Sequence, residues 1–504
     1  MIRTRFLTSF VGLTIAVVLA ACVAPPATPS TAPTTVPAET TSAPAAEVTA
    51  SPTEAAIAEA TAPAATAVMT DTMTMTPTVA VSESTTTMTT TATGEVTTWY
   101  YYDQNNTDEK ANERVGNLYI AKSMQAFNDQ MGGQLTWNNV PRDYNLTLDL
   151  VTAVQNDGDA PDVMQFGIAD LPLYMLNNTV QDVEWARNEP WFKDLDPKGV
   201  ESCTVNGKLY CVPISESPWL TYYWTELYKD GFPKTPEALL AAGTELRKTD
   251  KYALTYWGNT SFDGEAAGRY FYQTIASFGG SYDDGAGNLK LNTPENIKAI
   301  EFMRESVSKE LSSESVFAGN FEEEEAFKAG TAGAFPTGFF IAVRYLNPLK
   351  SPSGKDYANI EAAVNDKAIG LAPFVAPEGN TPGCALDLFG FVVPRTAKNL
   401  DGGKAYINWV MDKANQVEWI VNAGGGFPTS VSMRADPAFQ TQVYKDAQAI
   451  SEASACKPWY GSLQRIPEAK KIITNTIYDL IKAKPDADIA AELQKADEEY
   501  AKVN

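Results

Sequence analysis

Apolar and polar positions follow three regimes along the 504 residues. Arg3 and Arg5 lead into a largely apolar stretch over residues 6–18, closed by Leu19-Ala20-Ala21-Cys22. That is a signal-peptide layout, and the stretch is shorter than the roughly 20 apolar residues that cross a bilayer. Residues 23–94 are dominated by Thr, Ala and Pro, with scattered acids and no aromatic residue. Such a tract buries too little apolar surface to offset its ordering entropy, which predicts a disordered tether. As a flexible coil it reaches on the order of 45 to 50 Å. From about residue 95 the pattern becomes periodic. Residues 96–102 read as a buried strand of β-branched and aromatic side chains, followed by Ile120, Met124, Phe127 and Met131 at helical spacing. A second strand over 134–140, a helix over 146–155 and a Gly158-Asp159-Ala160-Pro161-Asp162 turn into a third strand continue the alternation. Asp162, after a proline, is expected to pin that turn. Strands alternating with helices predict parallel pairing in an α/β sheet. Thr235-Pro236-Glu237 and Thr293-Pro294-Glu295 each mark a helix start, with a capping hydroxyl, a proline at the first helical position and an acid in the first turn.

Composition narrows the chemistry. A net charge of −23 opposes the counterion-release attraction that drives nucleic-acid binding, so no nucleic-acid partner is expected. The chain contains no histidine, which excludes His-based nucleophile relays, His-bearing metal sites and an imidazole pH switch. Neither a metal nor another cofactor is expected, and the run Glu322-Glu323-Glu324-Glu325 reads as a solvated helix face. Beyond Cys22 there are Cys203, Cys211, Cys384 and Cys456, whose oxidation an exported chain favours. Asn206-Gly207 is a strong hairpin signal that brings Cys203 near Cys211, although a strict two-residue turn sets Cys203 opposite Tyr210 and calls for a longer loop or a bulge. Cys384 with Cys456 then follows by elimination; four free thiols are the alternative.

Two stretches carry resemblances. Leu19-Ala20-Ala21-Cys22 resembles the lipobox of bacterial lipoproteins, which implies lipid attachment at Cys22 and a cell-membrane location on the extracytoplasmic face. Tyr100-Tyr101-Tyr102, the 158–163 turn, Asn206-Gly207-Lys208-Leu209-Tyr210, Tyr222-Tyr223-Trp224-Thr225-Glu226-Leu227 and Phe278-Gly279-Gly280 occur in an order similar to the family 1 extracellular solute-binding proteins of ABC importers, the maltose-binding type. Leu291-Asn292-Thr293-Pro294-Glu295, Ala326-Phe327-Lys328-Ala329-Gly330 with Gly338-Phe339-Phe340, Gly390-Phe391-Val392-Val393-Pro394 and Gly425-Gly426-Phe427-Pro428-Thr429 continue the series. The cysteines are not a general feature of that family, and Phe340 stands where a tryptophan is common. The resemblance implies a type II-like periplasmic-binding fold of two α/β lobes around a ligand cleft. Lobe 1 would comprise residues 95–213 and 375–425, lobe 2 residues 214–374 and 426–504, with hinge crossings near 212–217 and 370–374. It implies no enzyme activity, a monomer, a mono- or oligosaccharide ligand and delivery to the permease subunits of an ABC transporter.

A sugar offers apolar C–H faces and a rim of hydroxyls, so its cleft needs aromatic planes and carboxylates or amides. Candidates at strand ends are Tyr101, Tyr102, Asp103, Asp170, Ser217 and Trp219, the last placed in a loop-like stretch after Pro218. Trp257, Gly338, Phe339, Phe340, Trp459 and Tyr460 are added from the second lobe, with Asp387 and Phe389 beside Cys384. Rival readings are a different cargo (a sugar phosphate, a peptide, or ferric ion held by Tyr222 and Tyr223), a glycoside hydrolase with two facing carboxylates, and a lipid-anchored adhesin.

Overall fold

The computed structural model describes residues 91–108, 114–142, 146–260, 264–319, 322–344 and 349–503. The signal segment, Cys22 and residues 23–90 of the expected tether lie outside the described residues. Among those described, no helix is long and apolar enough to cross a membrane.

The first strand, β1 (Gly94–Tyr100), lies parallel to β2 (Leu135–Pro141) and β3 (Val163–Gly167), with the helices Arg114–Gln130 and Leu146–Gln155 as connections. These are the predicted strand–helix alternations. Asp162 anchors the edge of β3: its carboxylate accepts the backbone N–H groups of Thr97, Lys398 and Asn399 at 2.7–2.8 Å. Asp162→Ala would strand those donors, and a loss of about 2 kcal/mol in urea unfolding is expected; an unchanged midpoint would contradict that role.

A short hairpin follows, β4 (Thr204–Val205) and β5 (Lys208–Leu209). Asn206 and Gly207 take positive φ at its turn, and the Tyr210 N–H bonds the Cys203 carbonyl. Cys203 therefore does face Tyr210 across a strict two-residue turn. No longer loop is needed, because the ladder ends at Leu209 and Cys211 turns back to form the Cys203–Cys211 disulfide.

The 13-residue strand β6 (Val212–Trp224) is the spine of the molecule. Its first half pairs antiparallel with β12 (Gly383–Val392) and with β13 (Phe427–Pro428). Its second half pairs with β8 (Ala332–Gly338), which also carries the parallel strand β7 (Tyr252–Leu254), and with β11 (Ile369–Ala372). The sheet thus runs β2-β1-β3-β12-β6-β8-β7, and two small ladders complete the strands: β9 (Leu349–Lys350) with β10 (Asp356–Tyr357), and β14 (Ala455–Lys457) on the start of β12. Pro218 sits where β6 exchanges one set of partners for the other, a break in the ladder that tolerates a missing N–H. Trp219, expected in a loop, is consequently a strand residue. The 370–374 stretch lies alongside Thr221–Tyr223 of β6, whereas the strand that pairs with the first half of β6 is β12.

Helix starts match their sequence signals. The Thr235 and Thr293 hydroxyls accept the N–H of Ala238 and Asn296, opening the helices Pro236–Arg247 and Pro294–Ser308. The expected solvated face over 322–325 is corrected: Glu323 and Glu324 are buried. The helix Glu322–Lys328 has only seven residues and packs against β8, and Thr255 bonds the Glu323 carbonyl, so its second and third positions turn inward.

Candidate ligand-binding site

Side chains alternate along a strand, so Ser215, Ser217 and Trp219 share one face of β6, and Asp387 and Phe389 of β12 lie on that face opposite Ser217 and Ser215. The register decides the first polar contact: the Trp219 indole Nε1–H donates to Asp387 Oδ2 at 2.8 Å. Gly338 pairs with Trp219, and a β-carbon there would lie 2.2 Å from the Phe340 ring, so only glycine lets Phe340 fold back over the strand. The Phe340 N–H donates to Ser217 Oγ. Trp219, Trp257 and Phe340 form an aromatic cluster with centroids 5.8–6.5 Å apart. Pairs of this kind contribute about 0.5–1.5 kcal/mol beyond their buried area.

Charge enters from two helices that the sequence analysis did not single out. On Glu265–Ser277, Glu265 and Arg269 are one turn apart and paired at 2.7 Å; the Arg269 Nε also reaches Asp387 Oδ1 at 2.5 Å. On Ile466–Tyr478, Lys470 bridges Glu265 at 3.5 Å and Asp170 at 3.3 Å, while Thr147 Oγ1 donates to the other Asp170 oxygen. Asp170–Lys470–Glu265–Arg269–Asp387 is thus a continuous chain of alternating sign ending on the Trp219 indole. The Arg269 guanidinium and the Lys470 ammonium lie 5.7 and 5.9 Å from the Trp459 ring. Trp459 also contacts Tyr460, and its six-membered ring packs on Gly268, where a β-carbon would meet it at 2.9 Å.

Burial alone would raise the Glu265 carboxyl, but Lys470 and Arg269 outweigh it and hold the group at about 2. Burial opposes the charge on Arg269 and Lys470 too; Asp387 with Glu265, and Asp170 with Glu265, more than reverse it and raise both. The Tyr460 phenol is pushed up by burial, with Asp170 and Asp387 adding to it. The sign follows. Stability held in Glu265 is present above its unfolded value of about 4.3 and is lost as pH falls toward 2; that held in Lys470 is present below about 10.4 and lost at higher pH. With no histidine in the chain, ligand affinity measured by titration calorimetry is expected to stay flat from about pH 5 to about pH 9. A ten-fold change within that window would contradict this network.

The other candidates divide. Asp170, Ser217, Trp219, Trp257, Gly338, Phe340, Asp387, Trp459 and Tyr460 belong to this connected region. Tyr101, Tyr102 and Asp103 form a group at the end of β1: the two phenols bond each other, Tyr102 donates to the Ala423 carbonyl, and the Asp103 N–H bonds Asn117. Phe389 is half-buried between Gly167 and Ser215. Phe339 turns the other way and is buried, stacked on Phe427 with centroids at 5.2 Å and edge-on to Tyr444. The rival iron ligands do not converge, since Tyr222 and Tyr223 are consecutive strand residues facing opposite sides. Tyr222 donates to the Phe339 carbonyl with its phenol raised by burial, and Tyr223 packs on Phe232.

Solved structures of similar fold were compared with this chain. Maltose-bound MalE3 of T. maritima matches with a TM-score of 0.67 at 17% identity over 81% of this chain and 100% of that one. The GacH receptor of Streptomyces glaucescens GLA.O, determined unliganded and with acarbose and an acarbose homolog, matches with a TM-score of 0.67 at 16% identity over 82% and 98%. An ABC transporter solute-binding protein from Agrobacterium radiobacter K84 in complex with ribitol matches with a TM-score of 0.62 at 18% identity over 82% and 100%. They establish the two-lobed periplasmic-binding fold. The family described as bacterial extracellular solute-binding protein matches residues 122–448, more than half of the chain, and the protein therefore belongs to that family.

Proposed function

We infer that this protein is the carbohydrate-binding receptor of an ABC importer, held to the extracytoplasmic face of the membrane by a lipid on Cys22 and a tether over residues 23–94, and acting as a monomer without chemistry on its cargo. The observation that carries the ligand class is the pairing of every charge in the cluster beside aromatic rings. Arg269 is matched by Asp387 and Glu265, and Lys470 by Asp170 and Glu265, so no cation among them is left to neutralise an anionic ligand. Two buried indole N–H groups, Trp257 Nε1 and Trp459 Nε1, have no hydrogen-bond partner. A neutral polyhydroxyl ligand answers both: its hydroxyl oxygens accept indole N–H groups and its C–H faces pack on the rings. The maltose and ribitol bound in the similar structures support the same class.

A glycosidase needs a carboxyl group that can give up a proton near neutral pH. Glu265, held at about 2 between two cations, does not supply one. The change of partners along β6 supports a first crossing at Ser217–Trp219, and the pairing of β12 with β6 supports a second around Leu386–Asp387 as an alternative to 370–374.

A thermal-shift screen of neutral sugars, polyols, sugar phosphates and peptides tests the reading. A ligand at a hundred times its Kd adds about 2.7 kcal/mol, and a shift of several degrees is expected from one neutral sugar or polyol only. A shift confined to phosphates or peptides would overturn it.

A further inference from the structure

The second disulfide occupies an unusual position relative to the site. Cys384 and Cys456 are directly opposed where β14 pairs with the start of β12. Three residues after Cys384 stands Asp387, the carboxylate that takes both the Trp219 indole and Arg269. Three residues after Cys456 stands Trp459, the ring beneath Arg269 and Lys470. One covalent bridge therefore ties together the segments that carry the acidic and the aromatic side of the same cluster.

Apart from the packing of the Trp459 ring on Gly268 and Tyr282, little else holds the Cys456 side. β14 has three residues, its outer two exposed, joined to β12 by a short parallel ladder. A ladder of that length fixes few dihedrals and contributes little net stability. On the far side the loop is tied by Ser462, whose N–H and hydroxyl both donate to Asp283 Oδ2. Trp459 and Tyr460 are slung between these two anchors. Without the bridge one anchor is lost, and the loop gains freedom that ligand binding must then remove. The first disulfide has no such relation, since it closes the β4–β5 hairpin between two cysteines 8 positions apart in sequence, outside the cluster.

We propose that the Cys384–Cys456 bridge is a positioning element of the ligand site, which when oxidised sets Trp459 and Tyr460 against Asp387 and Arg269 and when absent leaves a folded protein of weakened affinity. This rests on the carbohydrate-receptor reading, and the test separates the two. The double variant Cys384→Ser with Cys456→Ser is compared with the control Cys203→Ser with Cys211→Ser; Cys384→Val with Cys456→Ala replaces the first should it not fold. Acrylamide quenching of tryptophan emission without ligand is expected to rise about two-fold in the first pair only, and the rise should vanish when Trp459→Phe is added. Titration with maltose, α-D-tagatose and ribitol is expected to show a Kd about ten-fold weaker, through faster dissociation, for whichever of the three binds the wild type. Unchanged quenching, or unchanged affinity with only a lower melting temperature, overturns the proposal. Failure of the wild type to bind any of the three counts against the receptor reading, while the quenching measurement still decides the positioning role.

Discussion

Arg269→Met is expected to cost about 3–5 kcal/mol of stability and to abolish measurable sugar binding. Arg269 is mostly buried and touches two carboxylates, Asp387 at 2.5 Å and Glu265 at 2.7 Å. Methionine keeps the length of the stem and removes the cation, so both acids remain desolvated with less compensation. Asp387 would retain the Trp219 indole and Glu265 would retain Lys470. With this cation gone, burial raises the Glu265 carboxyl, and the deficit should shrink as pH falls and that group becomes neutral, the reverse of the wild-type trend. Arg269→Lys should recover only part of the loss, because a point charge cannot serve two acids in the fork geometry of a guanidinium. Urea unfolding at pH 7 and pH 5 with titration calorimetry measures this. Equal stability and affinity for Arg269→Met would remove the network from the account of the site.

That residue also shows where sequence reading reached and where it stopped. The α/β alternation, both helix caps and both disulfide pairings were legible, because each depends on residues close in sequence or on a small number of partners. Pro218 signals a break next to Trp219 and so suggests a loop, but the break is a change of strand partners within β6. Arg269 and Lys470 were missed because their partners arrive from distant segments, Asp387 for one and Asp170 for the other. A local signal did exist for Lys470. It shares the inward stripe of its helix with Ile466, Ala469, Ile473 and Ile477, and a charge on an apolar stripe needs a buried partner. Phe339 adjoins Phe340 in sequence, yet consecutive side chains diverge: Phe340 joins the cluster, and Phe339 stacks on Phe427.

Removing the Asp170 charge is expected to weaken sugar affinity about ten-fold, some 1.4 kcal/mol, mainly through closure rather than through contact. Asp170 follows β3 and belongs with the β1–β3 layer, whereas Lys470 lies on a helix packed against Glu265–Ser277. On the proposed lobe division Asp170 and Lys470 lie in different lobes, so their pair would add to the closed state and leave each lobe's own stability nearly untouched. Asp170→Asn preserves the shape and the Thr147 hydrogen bond but leaves Lys470 with Glu265 alone. Lys470→Met should give a similar loss. Because each variant already breaks the same bridge, the double variant should cost less than the sum, with a coupling of about 1 kcal/mol in sugar affinity. X-ray scattering adds an independent view: the ligand-free variants should be more expanded than wild type, and excess sugar should compact them again. Additive losses in affinity, together with unchanged ligand-free scattering, would show that the bridge plays no part in closure.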